Sequence, residues 1–164
     1  KLAICDSLTG LYNRRFVEQH LQQELERLQR YPGALSLALL DFDHFKRLND
    51  DYGHDIGDKA LCEFASLAKN ILRESDVLAR WGGEEFLIVF TETTLPQAHS
   101  VLERLREALL VNPLQIGEQN EVGIKMSVGL VMAMPDESKD SLVKRADEAM
   151  YQAKSLGRDQ IYCA

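Results

Sequence analysis

A chain of 164 residues is one domain long, and a fold of that size buries roughly 70% of the surface its unfolded form exposes, so no disulfide or metal staple is required. With 45% hydrophobic and 27% charged residues the composition excludes disorder, and no apolar run approaches the ~18 residues of a membrane span. Nineteen basic against 26 acidic residues leave a net charge of −7, which repels a nucleic-acid backbone yet admits a small phosphorylated ligand screened by cations. Cys5, Cys62 and Cys163 lie far apart, which argues against a disulfide framework or zinc ribbon and suits a reducing cytoplasm.

In chain order, Leu11–Arg30 carries a leucine stripe (Leu21, Leu25, Leu28) and predicts a helix ended by Tyr31-Pro32-Gly33. Leu35–Leu40 is almost continuously apolar and stops at Asp41-Phe42-Asp43, the pattern of a buried central strand with acids at its carboxyl end. Ile56–Leu72 has helical spacing. Val77–Arg80 and Phe86–Phe90 flank Gly82-Gly83, which predicts a β-hairpin whose glycines supply the positive φ of a primed turn. Leu95–Leu110 returns to helical period, and Val122–Met134 is strand-like with an interruption at Gly129. Asp140–Gly157 predicts a helix and Gln160–Cys163 a last short strand. Strands interleaved with helices, around a central hairpin, indicate a single α/β sandwich with a mixed sheet.

The acids are unevenly placed. Six of the twelve aspartates (Asp41, Asp43, Asp50, Asp51, Asp55, Asp58) fall within 18 residues. Asp41 and Asp43 at the strand end, and Glu84-Glu85 at the hairpin, would meet at one sheet edge if those strands are neighbours. Either pair alone is an ordinary set of solvated turn acids. Both together, each abutting an apolar strand, favour a hard cation with a phosphate substrate, because converging carboxylates otherwise repel one another.

Arg80-Trp81-Gly82-Gly83-Glu84-Glu85-Phe86 resembles the signature hairpin of the GGDEF family, the diguanylate cyclases, in its GGEEF form. Asp6-Ser7-Leu8-Thr9-Gly10-Leu11-Tyr12-Asn13-Arg14-Arg15 resembles the family's opening segment. Asp41-Phe42-Asp43-His44-Phe45-Lys46 through Asn49 to Asp58 resembles its nucleotide-binding segment, and Ala146–Tyr151 with Lys154, Gly157 and Arg158 its closing helix. The match runs the length of the chain in the family's order. It implies a palm-like nucleotide-cyclase fold, a central mixed sheet flanked by helices with the signature on a hairpin, and a carboxyl-terminal catalytic domain of a longer signalling protein.

The implied activity is condensation of two GTP molecules into cyclic di-3′,5′-GMP with release of two pyrophosphates. By the same resemblance Asp41, the Phe42 carbonyl and Glu84 are ligands of Mg²⁺ (or Mn²⁺), two ions per site. Glu84 is the candidate proton acceptor, and Glu85 holds the second metal or the incoming hydroxyl. Attack of a ribose 3′-hydroxyl on an α-phosphate needs a deprotonated nucleophile and neutralised charge, which two ions about 3.5–4 Å apart supply. Asn49 and Asp58 would read guanine, with His54 nearby, although Asp58 also precedes Lys59-Ala60-Leu61 as a helix N-cap would. Lys154, Arg158 and the Phe45 and Lys46 amides would hold the phosphates.

Arg73-Glu74-Ser75-Asp76 begins nine residues before Gly82, where many family members carry an inhibitory R-x-x-D product site. Arg73 would pair with guanine's O6 and N7 and Asp76 would accept from the opposite edge, with Arg104 as a secondary contact. The charged exit of a helix would look the same in sequence. The partners implied are therefore GTP, cyclic di-GMP and a transient homodimer, with no nucleic acid and no direct membrane contact, in the cytoplasm. A catalytically silent domain that only binds GTP or cyclic di-GMP is the competing reading. It is disfavoured because Asp41, Glu84, Glu85, Asn49 and Asp58 all stand.

Overall fold

The computed structural model describes residues 3–164. The chain runs α1 (Arg14–Arg30), β1 (Leu35–Phe42), α2 (Phe45–Tyr52), α3 (His54–Ile71), β2 (Val77–Arg80), β3 (Glu85–Thr91), α4 (Leu95–Val111), β4 (Leu114–Gln115), β5 (Glu121–Val122), β6 (Met126–Met132), α5 (Lys139–Ser155) and β7 (Gln160–Cys163). Five strands form one sheet in the order β2-β3-β1-β6-β7, antiparallel throughout except for the parallel β6–β7 pair, while β4 and β5 pair separately.

Every residue of β1 is buried, because helices cover both faces of the sheet. Ala38, Leu40 and Phe42 enter one core with Phe64 of α3 and Leu102 and Leu105 of α4. Leu35, Leu37 and Leu39 enter the other with Val17 and Leu21 of α1 and Leu142 and Ala146 of α5. The strand's two-residue alternation thus feeds two hydrophobic layers. This is the mixed, helix-flanked sheet that the sequence predicts.

Several boundaries differ, each for a local reason. The first helix begins at Arg14 rather than Leu11, because the Asn13 side chain accepts from the Phe16 amide at 2.9 Å and caps it. Leu11 is instead buried in a turn closed by Asp6, which accepts from the Thr9 amide at 2.9 Å. Helix α2 goes unpredicted because it buries only Leu48, too little apolar periodicity to register. The strand after Val122 divides, residues 121–122 pairing with β4 and 126–132 joining the main sheet.

Gly129 does not interrupt β6. It lets α5 lie directly on the strand: a Cβ there would stand 2.2 Å from the Met150 nitrogen and 2.3 Å from the Ala146 carbonyl oxygen. The hairpin glycines also differ from expectation, since neither takes a left-handed φ. The turn is closed by the Trp81 and Gly82 amides donating to the Glu85 carbonyl at 2.8 and 3.2 Å. Arg80 spans it, with Nη2 donating to the Gly83 carbonyl at 2.8 Å. A side chain at Gly83 would meet nothing within 4 Å, so the glycine leaves the turn bare rather than bending it.

Glu137, absent from the sequence reading, fixes the entry to α5. It accepts from Arg145 through Nε and Nη2 at 2.8 and 2.7 Å, from Ser141 Oγ at 2.8 Å and from the Met134 amide at 3.0 Å. Arg145 above all holds its carboxyl down to about 2 from 4.5. A depressed folded-state value stabilises the fold above the unfolded value and is lost as pH falls. The contribution, about 3 kcal/mol at neutral pH, therefore drains away between about pH 4.5 and about pH 2. Glu137→Gln should lower the melting temperature at pH 7 by several degrees, with the gap to wild type narrowing as the pH is lowered below 4.5.

Candidate active site

The carboxyl end of β1 and the hairpin are hydrogen-bonded neighbours. Asp41 stands opposite Glu85 in the β1–β3 register, and the Phe42 amide donates to the Glu84 carbonyl at 3.2 Å. From the other side α5 brings Lys154, whose ammonium pairs with Asp41 Oδ2. Asp41, Phe42, Glu84, Glu85 and Lys154 are thereby gathered at one sheet edge, although up to 113 residues separate Asp41 from Lys154.

The electrostatics of this edge are unbalanced. Asp41 is 4% exposed, and its Oδ1 is buried with no partner. Burial pushes its carboxyl above the usual range, against the pull of Lys154. Glu84 and Glu85 are raised for the same reason, burial first and then the Asp41 charge. Asp147 of α5, which the sequence reading does not single out, adds to the load on Glu85. An orphaned carboxylate oxygen among further acids is costly unless a cation meets it.

These donors fit a hard divalent ion. Among the described residues no three acidic, histidine or cysteine side chains converge tightly enough to hold an ion alone. That is the expected condition for Mg²⁺, which takes one or two carboxylates and fills its remaining positions with water and substrate phosphates.

Asp43 does not join the cluster. Its Oδ1 accepts from Ser127 Oγ at 2.6 Å and its Oδ2 from the Asp159 amide at 2.9 Å, so both oxygens are engaged elsewhere. The sequence expectation of two strand-end acids meeting the hairpin pair is therefore corrected to one.

Helix α2 opens immediately beyond β1. His44, its N-cap, has a left-handed φ of 58° and gives no side-chain cap, and the Phe45 and Lys46 amides form the helix's first turn. Asn49 on α2 is half-buried, with Oδ1 unpartnered. It fits only because residue 57 is glycine: a Cβ there would come 1.8 Å from Asn49 Oδ1. His54 opens α3, and Asp58 lies inside that helix, both exposed. Gly53 is the N-cap, so Asp58 is no helix cap. Arg158, exposed just after α5, is close enough to Asp41 to ease its charge.

Away from this edge, Arg73 and Asp76 form a tight turn. Asp76 Oδ2 accepts from the Arg73 amide at 2.9 Å, and Arg73 Nη2 donates to Asp76 Oδ1 at 3.0 Å and to Thr93 Oγ1 at 2.5 Å. The Asp76 side chain is 0% exposed while that of Arg73 is 53% exposed. Asp76 thus holds Arg73, and its carboxylate does not face outward to accept from a ligand, contrary to the sequence expectation. Arg104 lies exposed on α4.

No helix among the described residues is long and apolar enough to cross a membrane. The family model for the diguanylate cyclase GGDEF domain matches residues 3–160. The diguanylate cyclase DgcP of Pseudomonas aeruginosa is 42% identical over 162 residues, 99% of this chain and 24% of its own length. The response regulator PleD of Caulobacter vibrioides is 37% identical over 163 residues, 98% of this chain and 36% of its own. The chain thus spans about a quarter to a third of these curated relatives. Among solved structures, the GGDEF domain of DgcB from Caulobacter crescentus, in complex with c-di-GMP, superposes with a TM-score of 0.94 at 32% identity, over 99% of this chain and 94% of its own. The diguanylate cyclase SiaD from Pseudomonas aeruginosa, solved with its activator SiaC, gives 0.95 at 42% identity, over 99% of this chain and 62% of that one. With the family model matched almost end to end and whole-domain superpositions of this closeness, the chain belongs to the GGDEF domain family of diguanylate cyclases.

Proposed function

We propose that this domain condenses two GTP molecules into cyclic di-3′,5′-GMP, releasing two pyrophosphates. The observation that carries the reading is the buried Asp41, with one oxygen unpartnered, set against Glu84 and Glu85 across the β1–β3 pair. Asp41, the Phe42 carbonyl and Glu84 would hold Mg²⁺ (or Mn²⁺), two per site, which when bound neutralises the triphosphate and acidifies the attacking 3′-hydroxyl.

The chain's own groups supply the rest. Lys154 already faces Asp41 and would turn its ammonium to the phosphates, with Arg158 beside it. The uncapped first turn of α2 offers the Phe45 and Lys46 amides to the same oxygens. Glu84 accepts the nucleophile's proton, and Glu85 supports the incoming hydroxyl. Asn49 and Asp58 read guanine, whose pairing edge offers N1–H and N2–H₂ donors to a carboxylate, and His54 flanks them.

One domain supplies one GTP and the product needs two, so two copies must face each other as a transient homodimer. GTP is a cytoplasmic nucleotide, and the site faces that compartment. The reading extends to product inhibition, in which Arg73, held by Asp76, stacks on or pairs with guanine, with Arg104 as a further contact. Arg73→Ala should then preserve the initial rate while removing the late slowing of progress curves.

Incubation with GTP and Mg²⁺, followed by the mass of the product, tests the whole. Cyclic di-GMP should form, with specific activity rising as the enzyme is concentrated. A linear or single-nucleotide product, or GTP binding without turnover at any concentration, would overturn it.

A further inference from the structure

Three consecutive residues after α5 stand in left-handed backbone: Gly157 at φ 119°, Arg158 at 65° and Asp159 at 47°. Glycine adopts this region freely and aspartate tolerates it, but arginine rarely does. A run of this kind persists only where surrounding contacts over-determine it.

The contacts come from three separate elements. Asp43, just past β1, accepts the Asp159 amide at 2.9 Å, and buried Ser127 of β6 braces the same carboxylate at 2.6 Å. Arg106 of α4 grips Asp159 twice with Nη2, at 2.6 Å to the carbonyl and 3.0 Å to Oδ1. The Arg158 amide meanwhile closes on the Ala153 carbonyl at 3.0 Å. Arg158 itself is exposed, and its charge reaches Asp41. Ser127 and Arg106 take no part in the catalytic cluster, and Asp43 acts on it only through its charge, which raises Asp41.

We infer that Asp43 and Arg106 are positioning residues: by clamping Asp159 they hold Arg158 in its left-handed conformation and so aim its guanidinium at the nucleotide phosphates. The inference rests on the phosphate-binding role proposed for Arg158. Without the clamp, residues 158–159 relax toward right-handed backbone and the Arg158 side chain leaves the site by a different vector. The second aspartate of the Asp-Phe-Asp motif thereby acts on the substrate through the main chain, not through a cation.

Calorimetry with 3′-deoxy-GTP, which lacks the attacking hydroxyl, measures binding without turnover, and guanosine reports base recognition alone. Arg158→Ala should weaken 3′-deoxy-GTP about tenfold or more and leave guanosine unchanged. Arg106→Met should weaken 3′-deoxy-GTP to a similar degree, also sparing guanosine, and the double variant should bind no worse than Arg158→Ala alone. Asp43→Ala, which leaves the Asp159 amide without its acceptor, tests the clamp from the opposite side and stands in if Arg106→Met does not fold; removing a negative charge beside Asp41 would by itself favour the triphosphate, so a weakened affinity reports the clamp. Unchanged 3′-deoxy-GTP affinity in folded Arg106→Met, equal loss of guanosine, or losses that multiply in the double variant would each overturn the clamp. No loss in Arg158→Ala would overturn the phosphate role itself, and the clamp's function with it.

Discussion

Asp41→Asn is expected to reduce cyclic di-GMP synthesis by about two to three orders of magnitude, the scale on which one group stabilising developing charge contributes. The substitution preserves shape and removes only the charge that would hold a cation. Because burial already works against that charge, the fold has nothing to lose from its neutralisation. Lys154, freed from its pair, keeps a hydrated ammonium, since its side chain is 29% exposed. The melting temperature should therefore stay near or above that of wild type, while added Mg²⁺ should raise the melting temperature of wild type and not that of the variant. Glu84→Gln should behave alike. Substantial turnover in either variant, or in excess chelator, would remove the metal assignment.

Asp58→Ser should weaken GTP use roughly ten- to a hundredfold, corresponding to the ~1.5–3 kcal/mol of a hydrogen bond to a charged acceptor. It should also narrow the preference for GTP over ATP, because adenine lacks the paired donors that an aspartate accepts. The structure removes the competing account of this residue: α3 starts at His54 behind a Gly53 cap, and Asp58 is exposed one turn inside the helix. Loss of helix stability thus cannot stand in for loss of recognition. The ratio of kcat/KM for GTP over ATP decides the matter. A ratio equal to that of wild type would leave Asp58 as a surface charge.

Local patterns carried most of the architecture. The apolar run of Leu35–Leu40 determined a strand buried on both faces, because only a strand covered by helices on each side has no polar face to show. Helical spacing over Ile56–Leu72 and Leu95–Leu110 gave α3 and α4 to within two residues at each end. The Gly-Gly-Glu-Glu hairpin and its abutting strands likewise follow from sequence, since turn residues and β-rich flanks are neighbours in the chain. Helix α2 was illegible for the converse reason, one buried side chain being no periodicity at all.

What tertiary structure alone decided is the division of labour among similar residues. Asp41 and Asp43 are two positions apart, one at the end of β1 and the other just past it, and identical in type, yet one keeps an unpartnered oxygen and the other is consumed by Ser127 and Asp159. Asp76 and Arg73 looked like two ligand contacts, and packing turned one inward to hold the other. Gly129 looked like a break and proved to be the crossing point of a helix. For Asp41 and Asp43 the deciding partner lies 84, 113 or 116 residues away along the chain. Spacing in sequence specifies which face a side chain takes, but what waits on that face is set by how the elements stack, and only there does a carboxylate become a ligand or a latch.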